Sequence, residues 1–316
     1  MKLSVIISNR NDVSMLAVTV RSCLEALKAV AGGGEVVIVD NSDDKFYKMV
    51  KRVIPEGYIK DGKIQLIRQE FPCLFTARET GAIAAKGQYI ACVDSHMLIG
   101  YNMFKDMVDF MNRHRDDPKL GFGHAPINWA YQHERSAKHD RNVAECELGN
   151  WNKKYDEERK ITWKGMPWVC RKNWFLGALG GYGALAKGKV SWGGGDILIG
   201  TKPWLLGFEN WAIPTNPGIH IGPFPDVDGK DGSKYRVYSK SGEHPTLTGY
   251  LVALYVLGGL EAIKRNTSAM EKNWPWFSVT KYVGMAKTIG KSERKWLIKN
   301  QVMSFEEYLK DKPWEK

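Results

Sequence analysis

The chain is 316 residues long, 43% hydrophobic and 26% charged, with 46 basic against 35 acidic side chains, 12 Trp and 5 Cys. That composition excludes intrinsic disorder, a collagen-like rod and a disulfide scaffold, and leaves a protein with a well-filled core. At about 100 to 200 residues per domain, the length fits one large α/β domain carrying an appended piece.

In chain order, apolar strand runs alternate with helical periodicity over the first hundred residues, the signature of βαβ units on a mostly parallel sheet. The runs centre on Val5 to Ile7, Val36 to Val39, Ile64 to Ile67 and Tyr89 to Val93. Leu16, Val20, Leu24 and Leu27 recur at helical spacing between the first two, and Gly32, Gly33 and Gly34 are expected to end that helix. Ala77 to Ala85 reads as the last crossover helix. No basic n-region or cleavage site precedes the first strand run, so no secretory signal is expected. Three of the strand runs end in polar turns, at Ser8 to Asp12, Asp40 to Asp44 and Asp94 to His96, which should converge on one crevice at the carboxyl edge of the sheet. No Gly-x-Gly-x-x-Gly follows the first strand, so a dinucleotide-binding dehydrogenase is excluded.

Residues 100 to 165 read as more polar and helical, and Gly, Trp and Pro dominate after Val190. Residues 223 to 245 are loop-like and predict a lid. The apolar run from Leu247 to Ile263, broken by glycines and Glu261, falls short of the roughly 18 residues of a spanning helix and predicts a core helix. From Lys264 to Lys299, nine basic residues stand against two acidic ones, interleaved with Trp274, Trp276, Phe277, Tyr282 and Trp296. Such a segment suits a polyanion, with Lys291, Arg294 and Lys295 as candidate nucleic-acid contacts; a solvated amphipathic face with buried aromatics is the other reading. The expected division is a domain over 1–262, with a nucleotide-binding half at 1–100, an acceptor and donor-sugar half at 101–222 and the lid, followed by a helical extension over 263–316. The five cysteines form no Cys-x-x-Cys pair and predict buried thiols in a reducing, cytoplasmic setting.

Strand alternation puts Asp94 and His96 on the same side of the chain, facing the crevice. A carboxylate and an imidazole so placed can hold a divalent cation that keeps positions open for phosphate oxygens, although such a triplet also occurs as an ordinary turn.

Seven segments, VIISNRND (5–12), VDNS (39–42), ARETGA with AKG (77–87), VDSH (93–96), FLGALGGY (175–182), WGG (192–194) and PTNPGIH (214–220), occur in the order found in one enzyme family. Together they resemble the catalytic domain of the polypeptide GalNAc-transferases and the wider type 2 glycosyltransferases. The resemblance implies the α/β GT-A fold, a UDP-sugar donor and Mn2+ or Mg2+. Residue by residue, it implies metal ligation by Asp94, His96 and His220, nucleotide contacts by Ser8, Asp40, Arg78 and Asp94, and a catalytic role for Trp192 beside the donor. Arg78 also has a structural reading, as a bridge to Glu79 or Asp94. Gly195 and Asp196 stand where that family carries Glu and Asn, so the resemblance does not carry GalNAc as the sugar. Asp196 remains a candidate hydroxyl acceptor, a general base or a helix N-cap. The family's cysteines do not recur at the matching positions, no lectin module is expected, and Lys230, Lys234 or Arg236 are the candidates for its missing Arg. The family resembled retains anomeric configuration, the departing phosphate taking the acceptor's proton; a base at Asp196 would give inversion.

Three function classes follow. The first is a transferase acting on DNA with hydroxymethylated bases, as in phage enzymes that glycosylate 5-hydroxymethylcytosine, working in the host cytoplasm. The second acts on a cell-surface glycan or protein. The third is an inert nucleic-acid-binding module that keeps the fold.

Overall fold

A computed structural model describes residues 1–130, 156–162, 165–190, 193–221, 247–273 and 277–315. The first strand, β1 (Leu3–Asn9), is buried at every position, as is β2 (Gly34–Asp40). Helices covering both faces of a parallel sheet favour such buried strands, and the polar Ser4 within β1 donates to Glu35 of β2 at 2.7 Å. Between them α1 (Val13–Leu27) turns Val13, Leu16, Val20, Cys23 and Leu27 onto the sheet. It ends at Leu27, ahead of the expected glycines, with a short turn carrying the chain to β2.

Two helices outside the expected elements, α2 (Asp44–Val53) and α3 (Glu56–Lys60), precede β3 (Ile64–Arg68). They bury only Val50 fully, although Phe46, Met49, Val50 and Val53 recur at helical spacing along α2. Then come α4 (Leu74–Ala84), β4 (Tyr89–Asp94), the two-residue β5 (Met97–Leu98) and α5 (Met103–Arg113).

The stretch expected to be helical after residue 100 instead continues as β6 (Leu120–His124) and β7 (Ile127–Trp129). Gly121 and Gly123 hide β6 in the sequence, since glycine is poor in strands. Here it is required, because a Cβ on Gly123 would lie 2.7 Å from Ile213 and 3.0 Å from Phe110. Next follow β8 (Arg159–Lys160), β9 (Trp168–Arg171), α6 (Lys172–Leu176), α7 (Ala184–Lys187), α8 (Gly195–Leu205), β10 (Glu209–Ala212) and β11 (Gly218–His220).

Eight strands form one sheet in the order β3-β2-β1-β4-β9-β6-β10-β8, and β5-β11-β7 form a second, smaller one. The β3-β2-β1-β4 half is parallel throughout; β9 joins β4 and β6 antiparallel. This is an α/β architecture, as expected.

The expected core helix lies within α9 (Thr248–Asn273), which kinks where Gly259 takes φ 73°. The expected boundary at 262/263 therefore falls inside a helix. α10 (Val279–Asn300), α11 (Phe305–Asp311) and a short 3-10 turn (Pro313–Glu315) follow. Phe277, Leu297, Phe305 and Tyr308 belong to the same buried cluster as β1 and β4. Among the described residues, no helix is long and apolar enough to cross a membrane. The expected lid and Cys146 lie outside the described residues; Cys23, Cys73, Cys92 and Cys170 are free and buried.

Candidate active site

Parallel pairing ends β1, β2 and β4 side by side, with Asn9 opposite Asp40 and Ser8 opposite Asp94. Asp94 closes β4, and the chain turns through Ser95 and His96 into β5. There β11 runs antiparallel, setting His220 opposite Met97, and the Ile221 amide donates to the His96 carbonyl at 2.9 Å. The small sheet thus delivers a distant histidine to the end of β4. One ligand atom each from Asp94, His96 and His220 lies within 4.8 Å of the others. His220 Nε2 is 3.5 Å from Asp94 Oδ2, and the two imidazoles meet edge-on with ring centres 4.7 Å apart. Two imidazoles and one carboxylate fit a first-row divalent cation and leave other coordination positions for oxygen ligands.

The surroundings hold the carboxylate ionised. Burial alone would raise the pKa of Asp94, but a hydrogen bond with His220 and the charge of Arg78 outweigh it and keep the group well below the usual carboxylate range. Arg78, 4% exposed, donates to Asp94 Oδ1 at 3.0 Å and to the Tyr182 hydroxyl at 3.2 Å. Of the two readings of Arg78, the bridge to Asp94 is therefore formed; Glu79 faces elsewhere. Its Oε1 accepts from the Tyr182 and Gly183 amides at 2.6 and 3.1 Å. Successive residues of α4 thus fix both the metal-side carboxylate and the turn that carries Tyr182. The sequence places Tyr182 at the end of a motif but gives it no role, because its partner lies 104 positions away.

Ser8 and Asp40, the other expected nucleotide contacts, differ in availability. The Ser8 hydroxyl is buried and has no hydrogen-bond partner among the described residues, as expected of a group awaiting a ligand. Asp40 is fully buried, and its carboxylate is already engaged: Oδ2 accepts from Asn9 at 2.6 Å and Ser42 at 2.9 Å, and Oδ1 from Arg68 at 3.2 Å. It ties the loops after β1 and β2 together, which departs from a carboxylate standing open to ribose or uracil.

Asp196 sits in the first turn of α8, after the N-cap Gly194, so it is not the cap itself. It is near enough for its charge to act on both Arg78 and Tyr182. The departure at Gly195 has a steric cause, since any Cβ there would lie 2.3 Å from the Phe75 ring. A Glu does not fit at that position. Trp192, Lys230, Lys234 and Arg236 lie outside the described residues.

Lys291 and Lys295 are exposed on α10, whereas Arg294 departs from the expected phosphate contact. Its guanidinium donates to the Tyr255 and Val256 carbonyls at 3.3 and 3.2 Å and fills the space beside Gly259, bracing the kink of α9. Phe277 is buried and stacked on Tyr282 at 5.2 Å, so it offers no exposed ring to a base.

Solved structures with this architecture include GalNAc-T7 in complex with UDP, GalNAc and Mn2+, at 18% identity and TM-score 0.62 over 98% of this chain and 57% of that one. The chain therefore spans little more than half the length of that relative. Residues 1–349 of TarS from S. aureus, in complex with UDP, match at 15% identity and TM-score 0.52, over 89% of this chain and 73% of that one. Among curated proteins, none matches the sequence. The family model described as glycosyl transferase family 2 matches residues 4–174, which contain β1 to β4, Arg78, Asp94 and His96. This chain belongs to glycosyl transferase family 2.

Proposed function

We propose that the protein transfers a sugar from a UDP-sugar to a hydroxyl acceptor at the carboxyl edge of the sheet, with Mn2+ or Mg2+ held by Asp94, His96 and His220. The convergence of these three donors, two from the end of β4 and the turn after it and one from β11, carries the reading. A bound cation supplies neutralisation of the charge that develops on a departing diphosphate. Ser8 and Arg78, whose Nε is buried without a partner among the described residues, offer hydrogen bonds to the nucleotide. Asp40 acts through the loop it holds, and Trp192 and Asp196 belong to the donor-sugar side. Retention of configuration is part of the proposal, with the leaving phosphate accepting the acceptor's proton. The complexes of GalNAc-T7 with UDP and Mn2+ and of TarS with UDP support the donor class. Calorimetry should find tight UDP binding with Mn2+ that collapses on chelation, and His220→Ala should lose turnover while still unfolding cooperatively. Undiminished UDP binding after chelation, with normal turnover in that variant, would sink the reading.

For the acceptor, we propose DNA carrying a 5-hydroxymethylated base, which makes the protein cytoplasmic. The supporting observation is a row of exposed lysines, Lys287, Lys291, Lys295 and Lys299, at four-residue spacing along α10, so that all four lie on neighbouring turns. Charge reversal at Lys291 and Lys295 should weaken duplex binding and flatten its salt dependence, by about 0.9 in log–log slope for each phosphate no longer neutralised, and leave UDP binding unchanged. A panel of UDP-sugars offered with plain or hydroxymethylated DNA, digested to nucleosides for mass analysis, should add a hexose or pentose to the modified base alone. Transfer to a glycan or peptide but never to DNA would establish the surface-acceptor class instead.

A further inference from the structure

Asp12 stands at the N-cap of α1, where a carboxylate ordinarily accepts from the first turn of amides, yet its side chain makes no such bond. Its Oδ2 lies 3.0 Å from Nδ1 of His96 instead, and accepts from the Ser95 hydroxyl at 3.3 Å. The residue before it is fixed as well. Asn11 takes the left-handed conformation, φ 59°, a strained choice for a residue other than glycine. That conformation is held from the neighbouring loop. The Asn11 amide donates to Ser42 Oγ at 2.7 Å, its Nδ2 donates to Asp43 Oδ2 at 3.0 Å, and its Oδ1 accepts from the Asp43 amide at 2.9 Å.

The same helix grips the strand-end turn from behind. Fully buried Thr19 donates through Oγ1 to the Ser95 carbonyl at 2.9 Å and accepts from the Met97 amide at 3.0 Å. Ser22 accepts from the Ile99 amide at 3.2 Å. Backbone and ring of the His96 turn are therefore both fixed by α1, the backbone by two hydroxyls and the ring by one carboxylate.

We propose that Asp12 is a positioning residue for the metal centre, holding His96 in the Nδ1–H tautomer so that Nε2 is its ligand atom. A neutral imidazole carries one N–H, and an ionised carboxylate only accepts, so their pairing puts the proton on Nδ1 and the lone pair on the opposite nitrogen. Carboxylates that orient ligating histidines in this way are typically worth about 10- to 100-fold in metal affinity. The inference rests on the metal reading of Asp94, His96 and His220.

The test uses the full chain without donor. Nitrogen-15 NMR should find the His96 ring of the wild type as the Nδ1–H tautomer, and Asp12→Ala should move it toward Nε2–H. Titration followed by the electron paramagnetic resonance of free Mn2+ should show about 10- to 100-fold weaker binding in Asp12→Ala. Asp12→Asn keeps both an N-cap residue and an acceptor oxygen, so it should fold normally and lose less affinity than Ala. Thr19→Val, which removes the backbone grip alone, should leave the tautomer in place. Wild-type Mn2+ affinity in a folded Asp12→Ala protein, or an Nε2–H ring in the wild type, overturns the role of Asp12. A wild type that binds no Mn2+ overturns the metal reading itself, and is told apart because the wild type then fails as well as the variant.

Discussion

Asp94 is prepared for a cation by charges already in the protein. Arg78 and His220 lie on different elements and hold the carboxylate in its ionised form against its burial. The sign of the consequence is fixed by linkage: because the folded pKa is depressed, the stabilisation is complete above the ordinary carboxylate value of about 3.9 and fades only as the pH falls toward the depressed one. Urea unfolding of the wild type and Asp94→Asn should therefore differ in the neutral range, with the gap closing in strong acid, below the ordinary carboxylate value. Equal stability of the two proteins throughout would mean that Asp94 is not the depressed group. At this scale the sequence is informative where a motif names its own atoms: Asp94, His96 and His220 are all identifiable, and they converge. Asp12, Glu79 and Tyr182 receive no role from it, because what they do depends on partners 84, 103 and 104 positions away that no local pattern encodes. Asp40 is ambiguous for a related reason, since a carboxylate at a strand end looks alike whether it faces a ligand or ties two loops together.

The elements behind the site are joined by ionic groups with little access to water. Lys202 on α8, 1% exposed at its side chain, pairs with Glu293 on α10, 9% exposed, and Glu293 also accepts from the Ala184 amide at the start of α7. The Gly183 turn is thus held from one side by Glu79 and from the other by a helix near the end of the chain. Removing one partner of a buried pair strands the other, at a cost of about 3–5 kcal/mol, whereas replacing both with apolar groups of similar volume is often neutral. Lys202→Met should lose stability on that scale in urea, and adding Glu293→Leu should recover most of it; a loss below about 1 kcal/mol in the single variant would show that the pair contributes little. Elements are legible from the sequence in proportion to how uniformly they are buried. β1, β2 and β4 have sheet neighbours and helices around them and read as apolar runs, while α2 carries a stripe of Phe46, Met49, Val50 and Val53 among charges, of which only Val50 is buried, and is easily passed over beside them. The glycines of β6 mask a strand whose small residues make room for Phe110 and Ile213.

The whole molecule closes its core with its last fifty residues, although their composition reads as an appended basic arm. α9 passes through the expected boundary, and Arg294 reaches back from α10 to the carbonyls freed at its kink. The Val302 amide donates to the Leu205 carbonyl at 2.7 Å, tying the turn after α10 to the end of α8. Leu297, Phe305 and Tyr308, each 3% exposed or less, lie in the same apolar cluster as the sheet. The charge pattern of this segment is visible in the sequence because lysines face solvent. Its packing is not, because the apolar positions between them are too sparse to distinguish a docked helix from a free one. We propose accordingly that 263–316 belongs to the catalytic fold. Fully burying a large apolar side chain is worth about 1.5–3 kcal/mol, so deleting Leu297, Phe305 and Tyr308 and exposing the side chains they cover removes several kcal/mol from a net stability of only about 5–15 kcal/mol. A chain ending at residue 262 should therefore lack a cooperative thermal transition and the dispersed NMR spectrum of a packed core. Its failure is expected before any question of the acceptor arises. A 1–262 fragment that melts cooperatively and binds UDP with Mn2+ as tightly as the full chain would restore the boundary at 262/263 and make the lysine-bearing helices a separable acceptor module.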